Sequence, residues 1–131
     1  MSPIELTRKS YGLFATGQIE EMLASCVAQD AVLVNPLPAA VPFGGTYEGH
    51  QGFARYAQQI FESIQIELFE VDEIFAQGER VAVIGRERSR SLKTGRHYEI
   101  SWVHVVTVKD GRIQHIREYN DDSAAMAAIF A

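Results

Sequence analysis

Apolar residues recur at helical spacing in three segments of the chain, each followed by a break in the pattern. The first segment opens with Ser2, Pro3 and Glu5, which suit an N-cap, a first-turn proline and an acid at the third helical position. The third segment carries the most regular apolar face. The predicted helices span 3–15, 19–27 and 50–63, and an alanine-rich stretch at 123–130 indicates one further short helix.

From Ile64 onward the apolar positions alternate instead, as they do in strands with one buried face. Turn sequences that contain glycine divide this part of the chain at three places. The segments between the turns are longer than ordinary strands, which favours a strongly curved antiparallel meander. The predicted strands span 64–76, 80–91, 97–108 and 112–121, after a shorter strand at 31–34.

The segment 36–49 is rich in proline and glycine and predicts a long loop. We expect this loop to carry Phe43 and Tyr47 over the surface or across the mouth of a pocket. Helices followed by a meander predict a single α+β domain over residues 1–131, with helices packed on one face of the sheet. The concave face would hold the third helix and leave a cavity toward one end.

The 131-residue chain is 47% hydrophobic and has a formal net charge of −5. This charge disfavours a phosphate backbone, so we expect no nucleic acid partner. No apolar run approaches the roughly 20 residues that span a bilayer, so we expect no membrane insertion. The first residues resemble neither a secretory nor a transit signal, which favours a soluble, cytoplasmic protein.

Short motifs along the chain support the predicted order of elements: Tyr11 with Gly17, Asp30-Ala31 before Asn35-Pro36, Gly45-Thr46-Tyr47-Glu48-Gly49, Lys109-Asp110-Gly111-Arg112-Ile113 and Arg117-Glu118-Tyr119-Asn120-Asp121. This order resembles the nuclear transport factor 2-like (NTF2-like) superfamily, which includes ketosteroid isomerases, limonene epoxide hydrolases and SnoaL-like polyketide cyclases. The resemblance covers nearly the whole chain. It implies a curved antiparallel β-sheet wrapped around helices in a cone-shaped, cystatin-like half-barrel, and a homodimer that forms through the sheet.

The last predicted strand carries the closest match to these relatives. Its segment 116–121 is similar to the Trp-Arg-Asp-Tyr-Phe-Asp pattern of the epoxide hydrolases, with Glu118 at the catalytic aspartate. In SnoaL-like cyclases, an acid/base carboxylate on the final strand works with a histidine on the strand before it, and Glu118 and His104 match that pair. The resemblance therefore implies that Glu118 and His104 are catalytic residues.

Two other members of the superfamily resemble this chain less completely. The epoxide hydrolases carry an Arg-x-Asp where this chain has Gly85-Arg86-Glu87, so the carboxylate remains as Glu87 and the arginine does not. Compared with the ketosteroid isomerases, this chain has Tyr11 near the position of the tyrosine that donates to the oxyanion. It has Asn35 at the position of the general-base aspartate. Because an amide cannot take a substrate proton, Asn35 is instead, like Tyr11, a candidate donor to a developing oxyanion.

The turn at 110–111 decides which residues lie beside Glu118. A two-residue type I′ turn and a three-residue loop with a bulge would put opposite faces of strand 97–108 next to it. We favour the bulged loop, which puts Trp102 and His104 beside Glu118 and leaves the convex face for a dimer partner. The predicted ligand-binding residues around His104 and Glu118 are Tyr11, Asn35, Phe43, Tyr47, Glu87, Trp102, Ile116 and Asn120.

Simpler interpretations of these residues stay open at this stage. Glu118 would also suit an ion pair on an exposed strand face, Trp102 would suit core packing, and Asn35 would suit the turn before its proline. Alternating arginines at 86–90 indicate a solvated strand face. Histidine spacing does not resemble a metal site, and phosphate-cradling and dinucleotide motifs are missing, so we expect no metal and no cofactor.

Two functions agree with these observations. The first is a cofactor-free enzyme in which Glu118 and His104 move a proton on a small, mostly apolar carbonyl compound, in an isomerisation, a cyclisation or a hydration. The second is a non-catalytic module of the same fold that binds a small hydrophobic molecule or interacts through its sheet.

Overall fold

The computed structural model describes residues 1–131 and contains four helices and six strands. The first helix begins with the predicted capping box, in which the Glu5 amide donates to the Ser2 hydroxyl at 3.1 Å and the Ser2 amide donates to the Glu5 carboxylate at 3.0 Å. All four predicted helices are confirmed, with ends that differ by at most two residues. The helices are α1 (Pro3–Ala15), α2 (Ile19–Cys26), α3 (Gly49–Ser63) and α4 (Ser123–Ala128).

The strands include one that the sequence did not predict. The four long strands of the meander are confirmed to within a residue at each end, whereas the first strand is longer than predicted. The expected loop 36–49 contains a short strand, in which Tyr47 lies opposite Leu33. The strands are β1 (Val27–Asn35), β2 (Gly45–Glu48), β3 (Ile64–Gln77), β4 (Arg80–Ser91), β5 (His97–Lys109) and β6 (Arg112–Asn120).

The sheet is a single open layer with the strand order β2-β1-β6-β5-β4-β3. The predicted meander forms its larger part, with β3, β4, β5 and β6 paired antiparallel in sequence order. The expectation of an antiparallel sheet needs one correction, because β1 pairs with β6 in parallel and carries β2 at the edge. The α+β class and the curved, unclosed sheet are confirmed.

His104 lies opposite Glu118 as predicted, but the hairpin between β5 and β6 has a different geometry from the predicted one. Asp110 and Gly111 form a two-residue turn, both with positive φ, at 52° and 74°. The bulge lies inside the strand instead of the loop, because the pairing skips Gln114. The predicted facing of His104 is therefore confirmed, while the predicted three-residue loop is wrong.

The two faces of the sheet have different surroundings. The helices pack on the concave face, where most of the 23-residue hydrophobic core lies. On the convex face, Arg86 pairs with Glu70 and Asp72, and the Arg88 guanidinium contacts Glu99 at 2.7 Å. The predicted solvated face of β4 is thus confirmed, and acidic residues of the neighbouring strands neutralise it. None of the four helices is long and apolar enough to cross a membrane.

Candidate functional site

A cavity of about 460 Å³ lies between the concave face of the sheet and helices α1 and α3. Eighteen of its 24 lining residues are hydrophobic, so the cavity suits a largely apolar ligand. The few polar groups that line it are therefore the groups that would orient a ligand and act on it. The six polar lining residues are Ser10, Asn35, Gln65, Glu87, His104 and Glu118.

A hydrogen-bonded chain of three side chains reaches this cavity. Helix α1 supplies Tyr11, whose hydroxyl lies 2.5 Å from His104 Nδ1 on β5. His104 Nε2 lies 2.8 Å from Glu118 Oε1 on β6, because the bulge in β6 puts these two residues directly opposite each other. The His104 and Glu118 side chains are only 15% and 11% exposed, so the pair is largely shielded from solvent.

When the His104 imidazole is neutral, the chemistry of the three groups fixes the direction of the hydrogen bonds. Burial raises the pKa of the Tyr11 hydroxyl, and the charge of Glu118 adds to the rise, so the phenol stays protonated and donates to Nδ1 of His104. A neutral imidazole then carries its proton on Nε2 and donates it to Glu118 Oε1. Glu118 Oε2 makes no hydrogen bond to the protein and is free to take a proton from a ligand.

Trp102 lies behind this chain and does not line the cavity. Its indole stacks on the His104 ring at 4.2 Å between centroids and on the Phe69 ring at 4.8 Å, and only 1% of the residue is exposed. The predicted role of Trp102 in ligand binding is corrected accordingly, since it supports the imidazole from behind. A Cβ atom at Gly85 would collide with this indole and with the carbonyl of Glu70, so an arginine has no room there.

Glu87 brings a second carboxyl group to the cavity wall. The Ser89 hydroxyl donates to Glu87 Oε2 at 2.7 Å, and the Tyr98 hydroxyl donates to the same oxygen at 2.5 Å. Burial raises the pKa of the Glu87 carboxyl and the charge of Glu118 adds to the rise, although the two hydrogen bonds oppose it. Because both donors converge on Oε2, a proton on this carboxyl belongs on Oε1.

Asn35 and Tyr56 form a third polar part of the cavity wall. Asn35 is 1% exposed, and its Nδ2 donates to the Tyr56 hydroxyl over a long 3.4 Å. Asn35 Oδ1 has no hydrogen-bond partner. Tyr56 was not among the functional residues predicted from the sequence. The available signal was a tyrosine on the buried face of α3, where a hydroxyl needs a polar partner.

The remaining predicted residues divide into two groups. Phe43 and Ile116 line the cavity. Tyr47 does not, because its hydroxyl donates to the Gly44 carbonyl at 3.0 Å and its ring packs against Tyr56. Asn120 also lies outside the lining, and its side-chain oxygen accepts from the Asp122 amide at 3.1 Å. The expected pocket contacts of Tyr47 and Asn120 are therefore corrected.

A second, more open groove of about 640 Å³ lies beside α2 and the start of β1. In this groove, His50 Nε2 is hydrogen-bonded to the Val27 carbonyl oxygen at 2.8 Å, and no carboxylate is paired with that imidazole. No cluster of three or more His, Cys, Asp or Glu side chains in the structure is arranged to hold a metal ion. The cavity with His104 and Glu118 is therefore the candidate site.

Comparisons with known proteins agree with this architecture. A family model described as a SnoaL-like domain matches residues 7–116. An NTF2-like protein from Burkholderia xenovorans is 31% identical over 98% of this chain and 95% of its own, with a TM-score of 0.90. An NTF2-like protein from Burkholderia pseudomallei is 26% identical over 100% and 99%, with a TM-score of 0.85. TerC, co-crystallised with polyporic acid, is 25% identical over 99% and 98%, with a TM-score of 0.83. A search of curated protein sequences found no significant match.

Proposed function

Because the chain belongs to the SnoaL-like domain family, we propose that it catalyses proton transfer on a small, mostly apolar carbonyl compound without a cofactor. The observation that carries this proposal is the series of hydrogen bonds from Tyr11 through His104 to Glu118. It ends at a carboxylate oxygen that makes no hydrogen bond to the protein and lies in an apolar cavity. Isomerisation and intramolecular carbon–carbon bond closure both begin with such a transfer.

Glu118 is the proposed general base. Its Oε2 takes a proton from the carbon next to the substrate carbonyl, so that a C–H bond breaks, an O–H bond forms and the electron pair moves into the enolate. His104 Nε2 holds the other carboxylate oxygen at 2.8 Å, and Tyr11 fixes the imidazole from the far side. Glu118 can then return the proton to another carbon of the enolate, which completes an isomerisation.

Glu87 is the proposed acid. Burial favours the neutral form of its carboxyl, and two hydrogen bonds to Oε2 leave Oε1 to carry the proton. A substrate carbonyl oxygen beside Oε1 would accept a hydrogen bond that strengthens as negative charge develops. A carboxyl group kept neutral by burial beside a carboxylate with a free oxygen suits an acid and a base in one site.

A binding protein without catalysis is the second candidate. Trp102 occupies the space that the arginine of the epoxide hydrolases would need, so one part of a known catalytic set is missing. The co-crystallisation of TerC with polyporic acid agrees with either candidate.

Exchange of α-protons in 2-tetralone, a bicyclic ketone, tests the catalytic proposal without knowledge of the natural substrate. In D₂O, we expect the protein to accelerate the loss of the α-proton signal in ¹H NMR. The Glu118→Gln variant should lose at least about 100-fold of this acceleration, because an amide cannot act as a general base.

Glu73→Gln is the matched control, since Glu73 is exposed on β3 and away from the cavity. It should exchange at the wild-type rate. Equal rates for Glu118→Gln and wild type would contradict the assignment of the base. Binding of 2-tetralone by wild type without any accelerated exchange would favour the binding protein.

A further inference from the structure

The cavity wall contains an acceptor without a donor, and beside it a hydroxyl whose hydrogen has no acceptor. Asn35 Oδ1 is an acceptor without a donor in a residue that is 1% exposed, so bulk water cannot satisfy it. The Tyr56 hydroxyl accepts from Asn35 Nδ2 at 3.4 Å, and its own hydrogen has no acceptor in the protein. Both residues line the cavity.

An unfilled acceptor beside an unfilled donor matches one functional group in particular. A hydroxyl can donate to the amide oxygen and accept from the phenol at the same time, whereas a carbonyl or an ether can only accept. If the amide is turned over, the Tyr56 hydroxyl donates to Asn35 Oδ1, which leaves an amide N–H and a lone pair of the phenol oxygen free. A ligand hydroxyl can then accept from the amide N–H and donate to the phenol oxygen.

We propose that Asn35 and Tyr56 form a binding site for a ligand hydroxyl, so that the protein selects hydroxylated cyclic or aromatic compounds. This inference rests on the proposed function in that the hydroxyl would belong to the same ligand whose carbonyl lies near Glu118 and Glu87. The substrate class becomes a hydroxy-carbonyl compound of mostly apolar character.

The energetic reason for selection is the cost of an unmade hydrogen bond. A ligand that enters without a hydroxyl covers Asn35 and Tyr56 and leaves both unsatisfied, whereas a hydroxylated ligand satisfies them. Sites built to bind a hydroxyl therefore discriminate strongly against the analogue that lacks it. Burial also raises the pKa of the Tyr56 phenol, which keeps it a donor.

Three naphthalenes that differ in one substituent test the site: 2-naphthol both donates and accepts, 2-methoxynaphthalene only accepts, and 2-methylnaphthalene does neither. We expect 2-naphthol to bind about tenfold tighter than the other two in ¹H–¹⁵N NMR titrations of the whole chain. The side-chain amide signals of Asn35 should shift with 2-naphthol and much less with 2-methylnaphthalene.

The variants Asn35→Leu and Tyr56→Phe should bring the three affinities to within about threefold, because each removes half of the site. Tyr47→Phe is the matched control, since the Tyr47 hydroxyl is bonded to Gly44 outside the cavity, and it should keep the tenfold preference. If Asn35→Leu does not fold, Tyr56→Phe alone decides.

Equal affinities of wild type for 2-naphthol and 2-methoxynaphthalene, or an unchanged preference in Tyr56→Phe, would overturn the inference. The same titrations in Glu118→Gln separate it from the proposed catalysis. A hydroxyl preference without catalysed exchange would remove only the catalytic proposal. Catalysed exchange without a hydroxyl preference would remove only this site.

Discussion

Glu118 and Glu87 are the same kind of side chain, but their neighbours differ. Glu118 receives one hydrogen bond from His104 and keeps a free oxygen. Glu87 is held by two hydroxyl donors, and burial favours its neutral form. At the residue scale, these contacts support the proposal that Glu118 removes a proton and that Glu87 donates a hydrogen bond.

The raised pKa of Glu87 gives a prediction for stability against pH. Below the ordinary value of 4.5 both the folded and the unfolded chain keep this carboxyl protonated. As pH rises above that value the unfolded chain ionises first, so the folded state loses stability until its own carboxyl ionises. We expect urea unfolding at pH 4, 6 and 8 to show that the free energy of unfolding of the wild type falls with rising pH relative to that of Glu87→Gln. Glu73→Gln should run parallel to wild type, and a constant difference between wild type and Glu87→Gln would contradict the burial argument.

The sequence identified some of the site residues and missed the contacts that define their roles. Strand alternation and the family resemblance together identified His104 and Glu118 as site residues, because both lie at fixed positions on neighbouring strands. Tyr56 was not found, since a tyrosine on the buried face of a helix is equally typical of core packing. The position of Trp102 behind His104 depends on the lack of a side chain at Gly85, which is a matter of packing across strands.

At the scale of elements, the β5–β6 hairpin determines whether the site exists. A one-residue change of register would put Arg117 opposite His104 and turn Glu118 to the convex face. The sequence Asp110-Gly111 predicts a turn, but two turn types give opposite faces. The bulge at Gln114 resolves the choice, and no local signal marks it, since it depends on the pairing of β6 with both of its neighbours.

Two glycine-to-alanine changes test the turn and a helix with opposite expected signs. Gly111 has a φ of 74°, so Gly111→Ala should lower the free energy of unfolding by about 1 kcal/mol because a Cβ atom disfavours this conformation. Gly12 lies in α1, and a Cβ atom there would meet no other atom within 4 Å, so Gly12→Ala should raise it by about 0.5–1 kcal/mol. Thermal unfolding measures both, and a loss of stability in Gly12→Ala would contradict the helix argument.

At the scale of the whole molecule, the strand order was the least predictable feature. The meander follows from turns between neighbouring segments, and it was predicted correctly. The parallel pairing of β1 with β6 joins segments that are about 80 residues apart, and β2 is too short for its alternation to be visible. The β1–β6 pairing has no local signature, because it depends on how the completed meander curves around α3.

The convex face leads to the last prediction, a homodimer that forms through the sheet. Val103 lies opposite Tyr119 on one side and Ile84 on the other, and Tyr119 is 50% exposed. In the adjacent row, Val105 lies opposite Ala82, which in turn faces Phe75, and Phe75 is 55% exposed.

This apolar patch is flanked by the paired charges of β3 and β4, an arrangement that suits an interface with an apolar centre and a polar rim. We expect light scattering to give twice the 14.6 kDa mass of the chain, and Val105→Glu to give the monomer because the new charge would be buried in the interface. Lys93→Glu, in the β4–β5 turn, is the control and should remain dimeric. A 14.6 kDa species at every wild-type concentration would mean that this patch has no partner copy.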